Sequence, residues 1–130
     1  ALAVGSTRAS LAILEQESLR RGRLKPIVEE LEKELAVIES MLFQFATKRI
    51  DIQERNLLRQ RANTLVTRTA QAALTASKGA GFVKGHPAEH LIRESMFYLV
   101  WSCPQSVTES LLCDFAGLEN QSRISGTGQQ

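Results

Sequence analysis

Two stretches of this chain carry residue types whose spacing could hold a ligand. The more specific is Ser77-Lys-Gly-Ala-Gly-Phe-Val-Lys-Gly-His-Pro-Ala-Glu-His-Leu-Ile-Arg-Glu94. A long helical pattern runs into it and stops at Gly79-Ala80-Gly81, where glycine suits a left-handed helix end. A new helix opens at Pro87, whose fixed φ and missing N–H fit a first helical position. Such a segment is either a plain joint, the commoner role of glycines, or bare backbone lying against a flat or phosphorylated ligand. The second stretch is Arg20-Arg21-Gly22-Arg23-Leu24-Lys25. Charge runs of this kind are usually solvated, but guanidinium groups also match phosphate geometry.

Other reactive types are sparse. His86 and His90 flank the fourth helix start with no carboxylate or cysteine cluster at ligand spacing, so no metal site is expected. Cys103 and Cys113 fit no metal or redox motif and read as reduced, buried thiols. Arg93 and Glu94 interrupt an apolar surface. If buried, Arg93 needs a partner.

The elements that must position these residues are helical throughout. Val4, Leu11, Leu14 and Ser18 recur at helical spacing and predict a first helix over about 2–20. The second opens at Pro26 and carries Ile27, Leu31, Leu35, Ile38, Leu42 and Phe45 down one face, with Met41 and Phe43 widening it. Glu29, Glu30 and Glu32 are expected to crowd its first turns, at the positive end of the dipole. Asp51 and Glu54 form a capping-box pattern for a third helix over about 52–78, roughly 40 Å long. Its inner face, Leu58, Ala62, Leu65, Thr69, Ala72, Ala73 and Ala76, becomes small toward the C-terminal end. Small residues let a neighbouring helix or a bound group approach closely.

The fourth helix, about 87–102, is apolar nearly all round, which predicts a central position or a covering subunit. Pro104 ends it. Ser106 and Glu109 suggest a capping box for a short fifth helix, with Val107, Leu111 and Phe115 inward and Gly117 as its stop. No segment reads as a strand. The expected fold is all-α, an up-down four-helix-type bundle with a short fifth helix over residues 1–118. Residues 119–130 form a polar, flexible tail.

The 130 residues match one compact domain, with 43% apolar and 23% charged residues as in ordinary soluble chains. A formal charge of +2, from 16 basic and 14 acidic residues, argues against a nucleic-acid partner. No apolar run approaches the ~18 residues of a membrane span, and no signal-peptide pattern is present. A cytoplasmic location is the expectation. The opening Ala-Leu-Ala-Val lies inside a helical pattern and carries no methionine, which suggests a fragment of a longer protein.

Taken together, Lys78 to Ser95 resembles a signature of the acyl-CoA dehydrogenase family: a Gly-Gly-x-Gly-aromatic turn, a proline, then a Glu-x-Leu-x-Arg-Asp helix opening. Gly79, Gly81, Phe82, Pro87, Glu89, Leu91 and Arg93 match in register, and Glu94 takes the acidic position. The Ala-Val-Gly helix, the basic loop and the two long helices fall in the family's order, so nearly the whole patterned chain is similar to its C-terminal α-helical domain. The resemblance implies an FAD flavoprotein that removes two hydrogens from an acyl-CoA and forms dimers or tetramers. It places Gly79, Ala80 and Gly81 near the FAD of a neighbouring subunit, Thr75 where many members have glutamine, and Arg20 at the cofactor's phosphates.

Besides Thr75, the chain departs from the family pattern at several positions, Ala80 among them. Arg23-Leu24 replaces the usual Phe-Gly pair, and Lys78 stands where glycine is usual. Ser102 occupies the position of the family's catalytic glutamate. An unactivated alcohol is no base for an α-proton near neutrality, so no catalytic residue is assigned. Some members carry the glutamate at the start of the first helix, which would lie upstream of Ala1. Alone, the chain is expected to bind FAD weakly or not at all and to be inactive. The alternative is a non-catalytic helical assembly module that kept the fold and lost the base.

Overall fold

The computed structural model describes residues 1–101 and 104–118. Ser102, Cys103 and the polar tail 119–130 lie outside the described residues. Five α-helices are present and no strand occurs among the described residues: α1 (Leu2–Arg20), α2 (Lys25–Thr47), α3 (Ile52–Ser77), α4 (Pro87–Val100) and α5 (Gln105–Ala116). The all-α bundle expected from the sequence is what forms. Short 3-10 turns at Gly22–Leu24 and Lys78–Phe82 complete the chain.

Local chemistry sets the helix limits. Pro26 sits in the first turn of α2 and Pro87 opens α4. The capping box at α3 is present, with the Asp51 N–H donating to Glu54 Oε2 at 3.3 Å. Gly117 ends α5 in the left-handed conformation at φ 68°. There the Leu118 N–H bonds the Cys113 carbonyl and the Gly117 N–H bonds that of Asp114, which satisfies the last carbonyls.

Two terminus expectations change. Pro104, not Ser106, takes the N-cap of α5, so Ser106 lies inside the helix. Because α2 begins at Lys25, Glu29 and Glu30 fall beyond its first turn, which holds no acidic residue.

The main core joins Leu11 and Leu14 of α1, Val28, Leu31, Leu35 and Ile38 of α2, and Leu58, Leu65, Ala73 and Ala76 of α3. Burying its valine, leucine and isoleucine side chains stabilises by about 1.5–3 kcal/mol each. Val28 replaces the expected Ile27, which stays 47% exposed, because the inward arc of α2 lies one residue further on. Phe43 and Phe115 also point outward, at 74% and 59% exposure.

The central helix is α3, not α4. It packs against α1, α2, α4 and α5, and Asn63, Val66, Thr67, Thr69 and Ala70 are buried along with its core leucines. Its small and hydroxyl side chains permit this crowding. Thr67 and Thr69 donate to the carbonyls of Asn63 and Leu65 at 2.8 and 2.9 Å, so their hydroxyls are satisfied within the helix. In α4 only Ala88, Leu91 and Ser95 are buried. Among the described residues, no buried side-chain nitrogen or oxygen lacks a partner.

Candidate functional site at one end of the bundle

The basic turn meets the last turn of α3, which leads into the glycine turn. Arg21, partly buried, directs Nη2 to Glu17 Oε2 at 3.0 Å and to the backbone carbonyl of Ala76, 55 residues further along. The Arg21 N–H also bonds the Glu17 carbonyl at 3.0 Å, and the Leu24 N–H bonds the Arg21 carbonyl at 3.0 Å. The end of α1 is thus tied to the last turn of α3. Beside the tie runs an apolar groove of about 680 Å³ lined by Leu24, Pro26, Ile27, Gln71, Thr75 and Ala76, among others.

Each residue that the resemblance assigns to cofactor contact can be located in the structure. Arg20 is exposed, and its guanidinium has no ion-pair or hydrogen-bond partner among the described residues. Thr75 is exposed in the groove; its hydroxyl donates to the Gln71 carbonyl at 2.8 Å, which leaves its oxygen able to accept. Gly79 and Ala80 are exposed, and a Cβ at Gly79 would meet nothing within 4 Å. Gly81 is buried instead. A Cβ there would stand 2.9 Å from Leu74 Cδ1 and 3.1 Å from the Leu74 carbonyl oxygen. Bare backbone at 79 serves open space; bare backbone at 81 serves packing within the chain.

The turn does not use its glycines as expected. Neither Gly79 nor Gly81 has positive φ. The residue that does is Lys78, at φ 54° and ψ −142°, together with Gly85 at φ 91°. Lys78 therefore holds a conformation that glycine adopts without steric cost.

Beyond the turn, His86 Nδ1 accepts the Ala88 N–H at 3.1 Å and caps α4. Arg93 is paired but not buried: its side chain is 70% exposed and Nε lies 2.9 Å from Glu89 Oε1, one turn back. His90 Nε2 lies 3.8 Å from Glu94 Oε2. No group of three potential metal ligands occurs among the described residues. Cys113 is a free, half-exposed thiol rather than a buried one.

Two features escaped the sequence reading. Arg21 was one cation in a run; nothing in its spacing points to Ala76. The second is a polar cluster joining α1 to α4: the Ser6 hydroxyl donates to Glu94 Oε1 at 3.0 Å and lies 3.0 Å from the Tyr98 hydroxyl. Glu94 and Tyr98 are four apart, a signal for contact on a helix face, but Ser6 stands 88 residues from Glu94.

Comparison with protein-family models, with curated proteins and with solved structures yields no match.

The far side of the bundle is apolar and uncovered. Phe97 and Trp101 stack with centroids 5.1 Å apart and remain 48% and 65% exposed. With Leu2, Leu42 and Leu58 they line a groove of about 500 Å³. This corrects the central placement of α4 and leaves its outer face open. No helix among the described residues is long and apolar enough to cross a membrane.

Proposed function

We propose that this chain is the C-terminal helical domain of an acyl-CoA dehydrogenase-like flavoprotein acting on the CH–CH group of an acyl-CoA. One observation carries the reading. The two segments that the resemblance assigns to cofactor contact, around Arg20 and around Thr75–Gly81, adjoin at one end of the bundle through Arg21 and Ala76. The backbone at Lys78 adds support, because it holds a conformation that glycine adopts without steric cost, at the position where the resemblance expects glycine.

These residues suit a dinucleotide cofactor. The unpaired Arg20 guanidinium would hold phosphate oxygens. Gly79, open on its outer side, admits a flat group against the backbone, and the Thr75 oxygen can accept a hydrogen bond. FAD, when bound, accepts the two hydrogens taken from the acyl chain. In this reading the apolar groove at Leu2, Phe97 and Trp101 walls the acyl chain or meets a neighbouring subunit of a cytoplasmic homo-oligomer. Ser102, outside the described residues, supplies no base.

A second reading, a helical assembly module without catalysis, is favoured by that serine and by the uncovered aromatic pair. Flavin content separates the two. The protein purified from its complete gene is expected to be yellow, with flavin absorbance, and Gly79→Val is expected to lose flavin while keeping its helical circular dichroism. A folded but colourless wild-type protein overturns the flavoprotein reading.

A further inference from the structure

We infer that Arg21 is a positioning residue, whose guanidinium locks the basic turn onto the end of α3 so that Arg20 and the Gly79 turn face one ligand as a single unit. The inference rests on the flavoprotein reading for its ligand, but the lock itself rests on geometry alone. Arg21 Nη2 donates both to the Glu17 carboxylate, 3.0 Å away, and to the Ala76 carbonyl. Glu17 precedes it by four residues, so the carboxylate orients the guanidinium from within α1.

Ala76 is the second-last residue of α3. Its carbonyl belongs to the last turn, where four acceptors lack helical donors and the helix dipole favours a cation. A guanidinium meets both needs at once. The link is also sheltered, since the Arg21 and Glu17 side chains are only 28% and 25% exposed.

The neighbouring cations differ. Arg20, Arg23 and Lys25 are exposed and have no partner among the described residues. One arginine in the run is thus structural in contact and three cations are left to face outward. The carbonyl it grips, on Ala76, is one residue from Thr75 and three from Gly79. Without the lock, the 3-10 turn at Gly22–Leu24 has no other side-chain hydrogen bond to α3 among those found in the described residues.

The test compares wild type, Arg21→Gln, Arg21→Lys and Glu17→Gln in the complete protein, by amide hydrogen exchange at residues 20–25 and 78–81 and by FAD titration of the flavin-stripped protein. In Arg21→Gln, exchange is expected to accelerate in both turns together, and FAD affinity to fall about tenfold, the loss of one charge-assisted hydrogen bond. Arg21→Lys, which keeps the charge but not the planar guanidinium, should recover part of both effects, and Glu17→Gln should lie between.

If wild type binds FAD and Arg21→Gln binds it equally, the positioning role is overturned. If exchange at 78–81 does not respond to Arg21→Gln, the lock is overturned whether or not FAD binds. If wild type binds no FAD but both turns loosen, the lock stands and the flavoprotein reading falls. A uniform rise in exchange across all five helices marks general unfolding and overturns the positioning role.

Discussion

Asn63 and Tyr98 join the central helix to the fourth: Asn63 Nδ2 donates to the Tyr98 carbonyl at 2.9 Å. Asn63 is only 5% exposed. Tyr98 lies in the last turn of α4, where carbonyls have no donor further along the helix. The amide thus replaces a missing helical partner. Asn63→Leu is expected to leave that carbonyl unpaired and to lower unfolding free energy by about 1–3 kcal/mol. Urea denaturation measures it, and an unchanged midpoint would show that water serves the carbonyl equally well.

The two glycines of the 79–81 turn separate by mutation. Gly81→Ala is expected to destabilise by about 1–3 kcal/mol, because its Cβ would overlap the Leu74 side chain and carbonyl. Gly79→Ala has open space around it and should stay within about 0.5 kcal/mol of wild type. Any flavin loss in Gly79→Ala therefore reports on ligand contact and not on folding. Thermal melts of both variants, read beside flavin content, make the comparison.

Lys78→Gly is expected to stabilise. A lysine at φ 54° and ψ −142° occupies a region that essentially only glycine populates. Relief of that strain is worth about 1–3 kcal/mol, offset by roughly 0.5–1 kcal/mol of added chain entropy in the unfolded state. The melting temperature should rise. A fall would mean that the Lys78 side chain makes a contact outweighing its backbone.

How much of this was readable beforehand depended on range. Helix limits were legible because Pro26, Pro87, the Asp51–Glu54 box and Gly117 act within a turn of themselves. The inner face of α2 was legible except at its start, where one residue of phase moves Val28 inward and Ile27 outward. The centrality of α3 was not legible. Hydropathy alone favours Phe97 and Trp101 over Thr67 and Thr69, and only tertiary packing shows that small residues occupy the crowded middle. The Arg21–Ala76 and Ser6–Glu94 contacts span 55 and 88 residues, and no local spacing encodes them.

Between α1 and α2, Glu32 carries a carboxyl whose pKa is raised above the ordinary range. The main cause is a hydrogen bond with Glu15, then slight burial, then repulsion from the Glu15 and Glu29 charges. The folded state thus holds this proton more tightly than the unfolded chain. Stability from it is complete below the unfolded pKa, near pH ~4, and is lost as pH rises through the folded value. Glu32→Gln keeps a donor for Glu15 and removes the charge. It should raise the melting temperature at neutral pH and leave it nearly unchanged near pH ~4. An equal rise at both pH values would assign the gain to something other than charge.

The aromatic pair at the C-terminal end of α4 is uncovered. Phe97 and Trp101 stack on one another while both stay about half exposed or more. Leu2, at 77% exposure, lines the same groove and extends the apolar surface. Contiguous apolar surface of this kind marks an interaction face, and Trp and Phe are enriched where binding energy concentrates. Burying one such ring contributes about 1.5–3 kcal/mol, or roughly tenfold or more in affinity. If the face joins subunits, Trp101→Ser should weaken assembly of the complete protein by at least that factor in sedimentation velocity, with the helical signal unchanged. If it walls an acyl chain, the oligomer should survive and binding should weaken most for the longest acyl-CoA. The same substitution thus assigns the groove to a protein neighbour or to a substrate, because an assembly contact does not depend on chain length and an acyl wall does.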